Sequence, residues 1–377
     1  YSETHSYGYD ELNRLTRVTW GTNNDHVTYK YNRNDTVDRM TIFQDGRVEE
    51  RYTYDKMNRM LTLKRNIQDA KSVTTSTAYD QNGNVSDYEY ADYAYDGADR
   101  IISETKSPRG TITYAYDSRG NRISMQTDSS VTTYTYDLDN KLMSSAETVN
   151  GSTAVTTYTY DQNGSLTQKQ TPEKTYTYAY NPLGTLASVT DSTGSAAYYT
   201  YDGNNIRQSK RIVSGESDVT TQYINDGGNV IAEITGEKTQ TYIRGKRLIA
   251  MQDEDGAWSI FGNNYRGDVE RVQRGSYSNG RYNNRYAYDA FGNYSEETDS
   301  PKKNPFRYCG EYTDDETGLI YLRNRYYDPA IGRFITEDPA KDGLNWYVYC
   351  GNNPIRYVDP TGCWQEDDDK YPAFIQR

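Results

Sequence analysis

The tripeptide Tyr-x-Tyr followed by Asp or Asn returns along most of the chain at intervals of about 20 residues, as in Tyr52-Thr53-Tyr54-Asp55, Tyr114-Ala115-Tyr116-Asp117, Tyr134-Thr135-Tyr136-Asp137 and Tyr158-Thr159-Tyr160-Asp161. A fixed period of this size means one supersecondary unit stacked many times, which limits the architecture before any motif is considered. The two tyrosines of a copy are two residues apart and share one face of a strand. In the copy around Asp117, that side chain can accept local backbone hydrogen bonds at the start of a type I turn, and Gly120 supplies the positive φ that closes it. The chain then returns through Ile123 and Met125, again two apart. This describes a β-hairpin with a loop of about three to five residues.

The same grammar appears at Tyr93-Ala94-Tyr95-Asp96, Tyr178-Ala179-Tyr180-Asn181, Tyr199-Thr200-Tyr201-Asp202 and Tyr286-Ala287-Tyr288-Asp289. Degenerate copies lie near Tyr29-Lys30-Tyr31-Asn32, Tyr79-Asp80, Tyr223, Tyr242 and Tyr265, giving about fourteen units between Tyr9 and Tyr288. The Ser/Thr/Gly-rich stretches from Ser72 to Thr77 and from Asn150 to Thr157 are expected to be the far turns of successive hairpins. Tyrosines at this spacing could stack on sugars or bases, but cross-strand packing is the commoner use of such ladders. Arg119, Arg122 and Lys141 between them are expected on a solvated face. Many hairpins in series form one long antiparallel sheet, and coiling it into a spiral shell or barrel covers its edges. The predicted fold is therefore all-β.

Composition supports an ordered β protein of unusual core. Leu, Ile, Val and Phe are scarce and mean hydropathy is -1.01, values common in disordered chains. The net charge of -12 is modest for 377 residues, however, and 41 Tyr stand against 6 Phe. Tyr and Thr favour a pleated, half-buried surface and replace the missing aliphatics. An acidic chain with a pI near 4.9 is a poor partner for nucleic acid, whose binding rests on neutralised phosphates. No stretch approaches the length of a membrane-spanning helix. The chain opens in mid-repeat at Tyr7-Gly8-Tyr9-Asp10, as expected of a fragment or mature piece. Two His and no Cys-x-x-Cys argue against a zinc site. The three cysteines, Cys309, Cys350 and Cys363, are either free thiols or include a Cys309–Cys350 bridge, which spacing alone does not decide.

After Pro305 the grammar changes. Residues 1–304 are assigned to the hairpin repeat, 305–362 to a distinct terminal segment and 363–377 to a short acidic tail. The terminal segment holds Tyr326-Tyr327-Asp328-Pro329, Gly332-Arg333-Phe334, Glu337-Asp338-Pro339 and, in Asn352-Asn353-Pro354-Ile355-Arg356-Tyr357-Val358-Asp359-Pro360-Thr361-Gly362, a Pro-x4-Asp-Pro-x-Gly run. In this order they closely resemble the core domain associated with Rhs/YD-repeat proteins, with Arg333, Pro354 and Pro360 as motif positions. That family includes bacterial polymorphic toxins, wall-associated YD proteins, the C components of Tc toxins and the animal teneurins.

The resemblance implies a shell of spiralling hairpins around a C-terminal toxin domain, plugged at one end by the core domain. It also implies a secreted or cell-surface location, upstream shell repeats or delivery proteins as neighbours, and no cofactor. Family members often cut themselves from the toxin at this point. Carried onto this chain, the aspartates are Asp338 and Asp359 and the cleavage site is Gly362, Cys363 and Trp364. Two carboxylates held together cannot both ionise easily, so one serves as acid while the other activates water. The plainer reading is that each Asp-Pro pair only opens a tight turn; a wall-associated or adhesion module without cleavage is the corresponding alternative function. Two positions depart from the family pattern: Ala340-Lys341 stands where Asp-Pro-x-Gly is common, and Cys363 replaces the usual Leu.

Overall fold

The computed structural model describes residues 5–21, 23–44, 46–68, 71–107, 109–274, 284–298 and 304–367. Between Ser6 and Thr298, 28 strands form one sheet. Each strand pairs antiparallel with its neighbours in sequence, so the sheet is a pure meander. Two strands make each of the fourteen expected units. Among the described residues the outer edges of Ser6–Tyr9 and Tyr294–Thr298 carry no further strand, and the sheet does not close on itself through backbone pairing.

The turn works as the sequence predicts. Asp117 Oδ1 accepts the amides of Arg119 at 2.9 Å and Asn121 at 2.8 Å, and Gly120 sits at φ 80°. The same side-chain bonds recur at Asp55, Asp96, Asp161 and Asp202. Straight after the turn the register slips by one residue: Tyr116 pairs with Arg122 while Ala115 pairs with Ser124. Equivalent slips occur at Tyr31, Tyr54, Tyr136, Tyr160, Tyr180 and Tyr201. Such bulges strengthen the right-handed twist of a sheet. Repeated in every hairpin but the last, they coil the sheet.

Apart from Tyr7 and Tyr9, Tyr93 and Tyr288, the first tyrosine of each pair is buried and the second is half-buried with a separate task. Its hydroxyl donates to the carbonyl that follows the previous turn: Tyr116 to Ile101 at 2.8 Å, Tyr136 to Arg122 at 2.7 Å, Tyr180 to Leu166 at 2.8 Å and Tyr201 to Leu186 at 2.6 Å. Where the tyrosine is replaced, Asn225 and Arg244 supply the donor instead, to Arg207 O and Val230 O. This clamp explains why Tyr and not Phe dominates the composition. Tyr180→Phe keeps the ring and is expected to cost about 1 kcal/mol, read as a lower urea midpoint at unchanged slope. A wild-type midpoint would mean that the ring alone joins the repeats.

The early and late parts of the coil face each other. Arg247 pairs with Glu50, Arg65 Nη2 donates to Asn263 O at 2.8 Å, and Lys106 Nζ donates to Tyr288 O at 2.7 Å. Val18, Met40 and Leu63 share one buried cluster with Ile249, Ile260 and Phe291. The concave side is filled by residues 304–362, whose Tyr321, Tyr326, Tyr327 and Phe334 join the buried tyrosines of the central repeats in a second cluster. The terminal segment also reads the row of turns. Asn353 bonds Asn84 and Asp99 O, Asn352 bonds Gly120 O, Arg333 bonds Asn140 O, and Tyr347 bonds Gly164 O, all at 2.7–2.8 Å.

Three expectations need correction. Arg122 is not on a solvated face: it is 3% exposed, its guanidinium lies over the rings of Tyr114, Tyr134 and Phe291, and it occupies the post-turn inner position held by Leu142 and Leu166 elsewhere. The supposed linkers are strands, Val73–Tyr79 and Ser152–Tyr160, because Thr-rich sequence is good strand sequence. Tyr265 does not belong to a ladder. The unit there uses Phe261 and Asn263, and Tyr265 lies in the turn, donating to Ile355 O at 2.8 Å. Of the two readings of the cysteines, the one without a bridge holds: no disulfide joins Cys309, Cys350 and Cys363.

Candidate functional site

Asp338 and Asp359 are 21 positions apart in sequence, yet both are buried and both face one guanidinium. Arg325 Nη2 lies 3.5 Å from Asp338 Oδ2 and 3.6 Å from Asp359 Oδ2. Arg325 comes from the short strand Arg325–Asp328, and its position is fixed by a bond from Nη1 to Trp346 O at 2.8 Å and by the Phe334 ring beneath it. Its Nε donates to Gly362 O. Sequence reasoning missed Arg325. The residue sits within the terminal run, but nothing in its spacing sets it apart from the other arginines there.

Asp359 opens a tight turn, as the plainer reading requires, and the turn carries it further. Its Oδ1 accepts the amides of Gly362 at 2.7 Å, Thr361 at 3.2 Å and Cys363 at 3.2 Å. Pro360 follows it, half-buried. Gly362 has φ 72°, and a Cβ there would meet Leu322 O at 2.5 Å, so only glycine fits. Burial pushes the Asp359 carboxyl up to about 6, against Arg325 and the three amides, which pull it down. Asp338 Oδ1 accepts the Ala340 amide at 2.8 Å. Lys341 occupies the position where the family pattern has glycine and adopts φ 52°, a left-handed conformation that costs an ordinary residue about 1–2 kcal/mol. The Ala340-Lys341 departure therefore leaves the turn in its glycine-like shape.

The two aspartates, Arg325, Cys363 and Trp364 line a cavity of about 390 Å³. Cys363 is half-buried and Trp364 is 58% exposed. Arg333 and Pro354 lie outside this pocket. Arg333 stacks on Tyr136 and Tyr347, and the Pro354 carbonyl accepts from Arg266. Beyond Trp364 the backbone returns along Tyr357–Val358 as the two-residue strand Glu366–Asp367; the rest of the acidic tail lies outside the described residues. Chemically, the pocket holds two desolvated carboxylates, a fixed cation on a backbone carbonyl and a cleft beside that peptide.

A coil of Tyr-Asp hairpins clamped by hydroxyls around an aromatic terminal segment defines a YD-shell protein. The chain belongs to the Teneurin YD-shell family, whose model matches residues 2–143 and 33–355. It is 31% identical over 288 residues to the tRNA3(Ser)-specific nuclease WapA of Bacillus spizizenii and 30% identical over 287 residues to the tRNA nuclease WapA of Bacillus subtilis strain 168. Each alignment takes in 72% of this chain, which spans only 12% of either relative. Among solved structures, the Photorhabdus luminescens Tc holotoxin pore matches 98% of this chain and 22% of its own, with a TM-score of 0.61 and 17% identity. That likeness concerns the fold. No described helix is long and apolar enough to cross a membrane.

Proposed function

We propose that this chain is the closing end of a secreted YD shell that carries a toxin domain C-terminal to it, and that the Asp338–Asp359 pocket cuts the chain between Gly362 and Trp364. The observation that carries this reading is the convergence on Arg325 of both aspartates and the Gly362 carbonyl. A preorganised cation on a carbonyl is what peptide cleavage needs where oxyanion charge develops, and a carboxyl pushed up to about 6 can hold a proton for the leaving amide. Residues 304–362 fill the concave face, so they act as the plug; room for the cargo is assigned to shell repeats outside this chain, with the free edge at Ser6–Tyr9 available to them. Division into a repeat of residues 1–304, a plug of 305–362 and a releasable tail from 363 is part of the proposal.

The test is the intact mass of freshly purified protein under denaturing conditions, beside Asp338→Asn and Asp359→Asn. Loss of a C-terminal peptide from the wild type, with both variants remaining at 43.3 kDa, supports the reading. A wild type that stays whole refutes self-cleavage and leaves a structural plug.

A further inference from the structure

Cys363 stands where the family pattern has leucine, and it borders the most constrained peptide of the pocket. The Gly362–Cys363 peptide is held at both ends: its oxygen accepts from Arg325 Nε, and its nitrogen donates to Asp359 Oδ1 at 3.2 Å and Thr361 Oγ1 at 3.3 Å. On the far side of Gly362 the backbone of Leu322 and Arg325 leaves no room for a side chain: a Cβ there would meet Leu322 O at 2.5 Å and Arg325 N at 2.9 Å. The cavity of about 390 Å³ opens beside this bond and is lined by Cys363 with both aspartates.

Resting on the reading that this pocket cuts its own chain, we infer that the bond broken is Gly362–Cys363 and that the Cys363 thiol is the nucleophile, acting by an N-to-S acyl shift. Sγ attacks the Gly362 carbonyl carbon and passes its proton to the Asp338 carboxylate. Negative charge develops on the oxygen that Arg325 already contacts. The Asp359 carboxyl donates its proton to the Cys363 nitrogen as the C–N bond breaks, leaving a Gly362 thioester on Sγ and a free α-amine on Cys363. Water then hydrolyses the thioester, restoring the thiol and giving a Gly362 carboxylate. The net change is hydrolysis of one peptide bond by one water.

The pocket supplies what the thiol lacks. Burial, with the two aspartates nearby, keeps the Cys363 thiol above its ordinary range, so it is not a standing thiolate and a base has to take its proton during attack. Asp338 does this without a histidine. The nucleophile is covalently attached to the bond it attacks, so orientation costs little entropy.

The experiment is mass analysis of both fragments from the full chain, with and without hydroxylamine, for the wild type and for Cys363→Ser, Cys363→Ala and Cys363→Leu, each checked by thermal melting. The inference expects a C-terminal fragment beginning with Cys363 and a shell fragment trapped as the hydroxamate at Gly362. Cys363→Ser should cut more slowly, while Cys363→Ala and Cys363→Leu, though folded, should lose about 1,000-fold in rate. A fragment beginning with Trp364, or a Cys363→Leu protein that cuts at the wild-type rate, overturns the inference while the aspartyl reading stands. An uncut wild type refutes both.

Discussion

Asp359→Asn is expected to slow self-cleavage by about 100- to 10,000-fold, the range of a lost general acid, while leaving the turn folded. Asparagine keeps an Oδ1 able to accept the amides of Thr361, Gly362 and Cys363 but has no proton to give the departing nitrogen. The same role fixes a pH dependence. Asp359 must be protonated to act, and burial holds its pKa at about 6. Below that value the acid form is full; above it the acid form falls about tenfold per pH unit. Protein purified near pH ~9 and jumped to lower pH should therefore cleave with a rate constant that falls with a slope approaching -1 above about pH 6. A rate that rises through this range would reverse the roles of Asp338 and Asp359.

Arg207→Ala is expected to cost about 3–5 kcal/mol of folding stability, the range for breaking a buried ion pair at one partner. Arg207 and Asp314 are both fully buried and meet at 2.6 Å, with Lys210 on the other carboxylate oxygen at 2.8 Å. The guanidinium sits among the rings of Tyr199, Tyr223, Tyr312 and Tyr321, and the Arg207 amide donates to the Tyr321 hydroxyl at 2.9 Å. Four repeat and terminal-segment tyrosines thus share one cation, which makes this the tie between the coil and its terminal segment. Denaturant midpoints of Arg207→Ala and of Arg211→Ala, whose pair with Asp218 is half-exposed, provide the comparison. The exposed pair should cost far less, because solvent screens it. Equal losses would show that the terminal segment is held by its aromatic packing alone. A double Arg207→Met, Asp314→Leu variant should recover much of the loss, because no charge is then left buried without a partner.

The cost of misplacing charge also explains what could not be read from the chain. Arg122, Arg207 and Arg325 look in sequence like any surface arginine between strands. Their burial depends on aromatic rings and carboxylates from other strands and from distant segments, such as Phe291 for Arg122, Asp314 for Arg207 and Asp359 for Arg325, and no local pattern records that. Tyr265 was misread for a related reason: its Tyr-Asp context is degenerate, and only the contact with Ile355 assigns it to the turn. The Thr-rich strands were misread as turns because Ser, Thr and Gly are shared by both.

What the sequence determines here is local and periodic. The Tyr-x-Tyr-Asp unit dictates a hairpin because Asp caps the turn, an αL residue closes it, and two tyrosines at a spacing of two must share a face; fourteen hairpins built on exact or degenerate copies then dictate one coiled meander. The terminal run marks a different segment and points to Asp338 and Asp359. Only the tertiary structure decides that these carboxylates meet. Both lie against Arg325, held on a strand within the terminal segment's aromatic core, and the same guanidinium reaches the Gly362 carbonyl. Local periodicity follows from backbone sterics and hydrogen bonding within about ten residues, whereas charge convergence follows from which surfaces are buried against which, and that is settled only when the coil packs around its terminal segment.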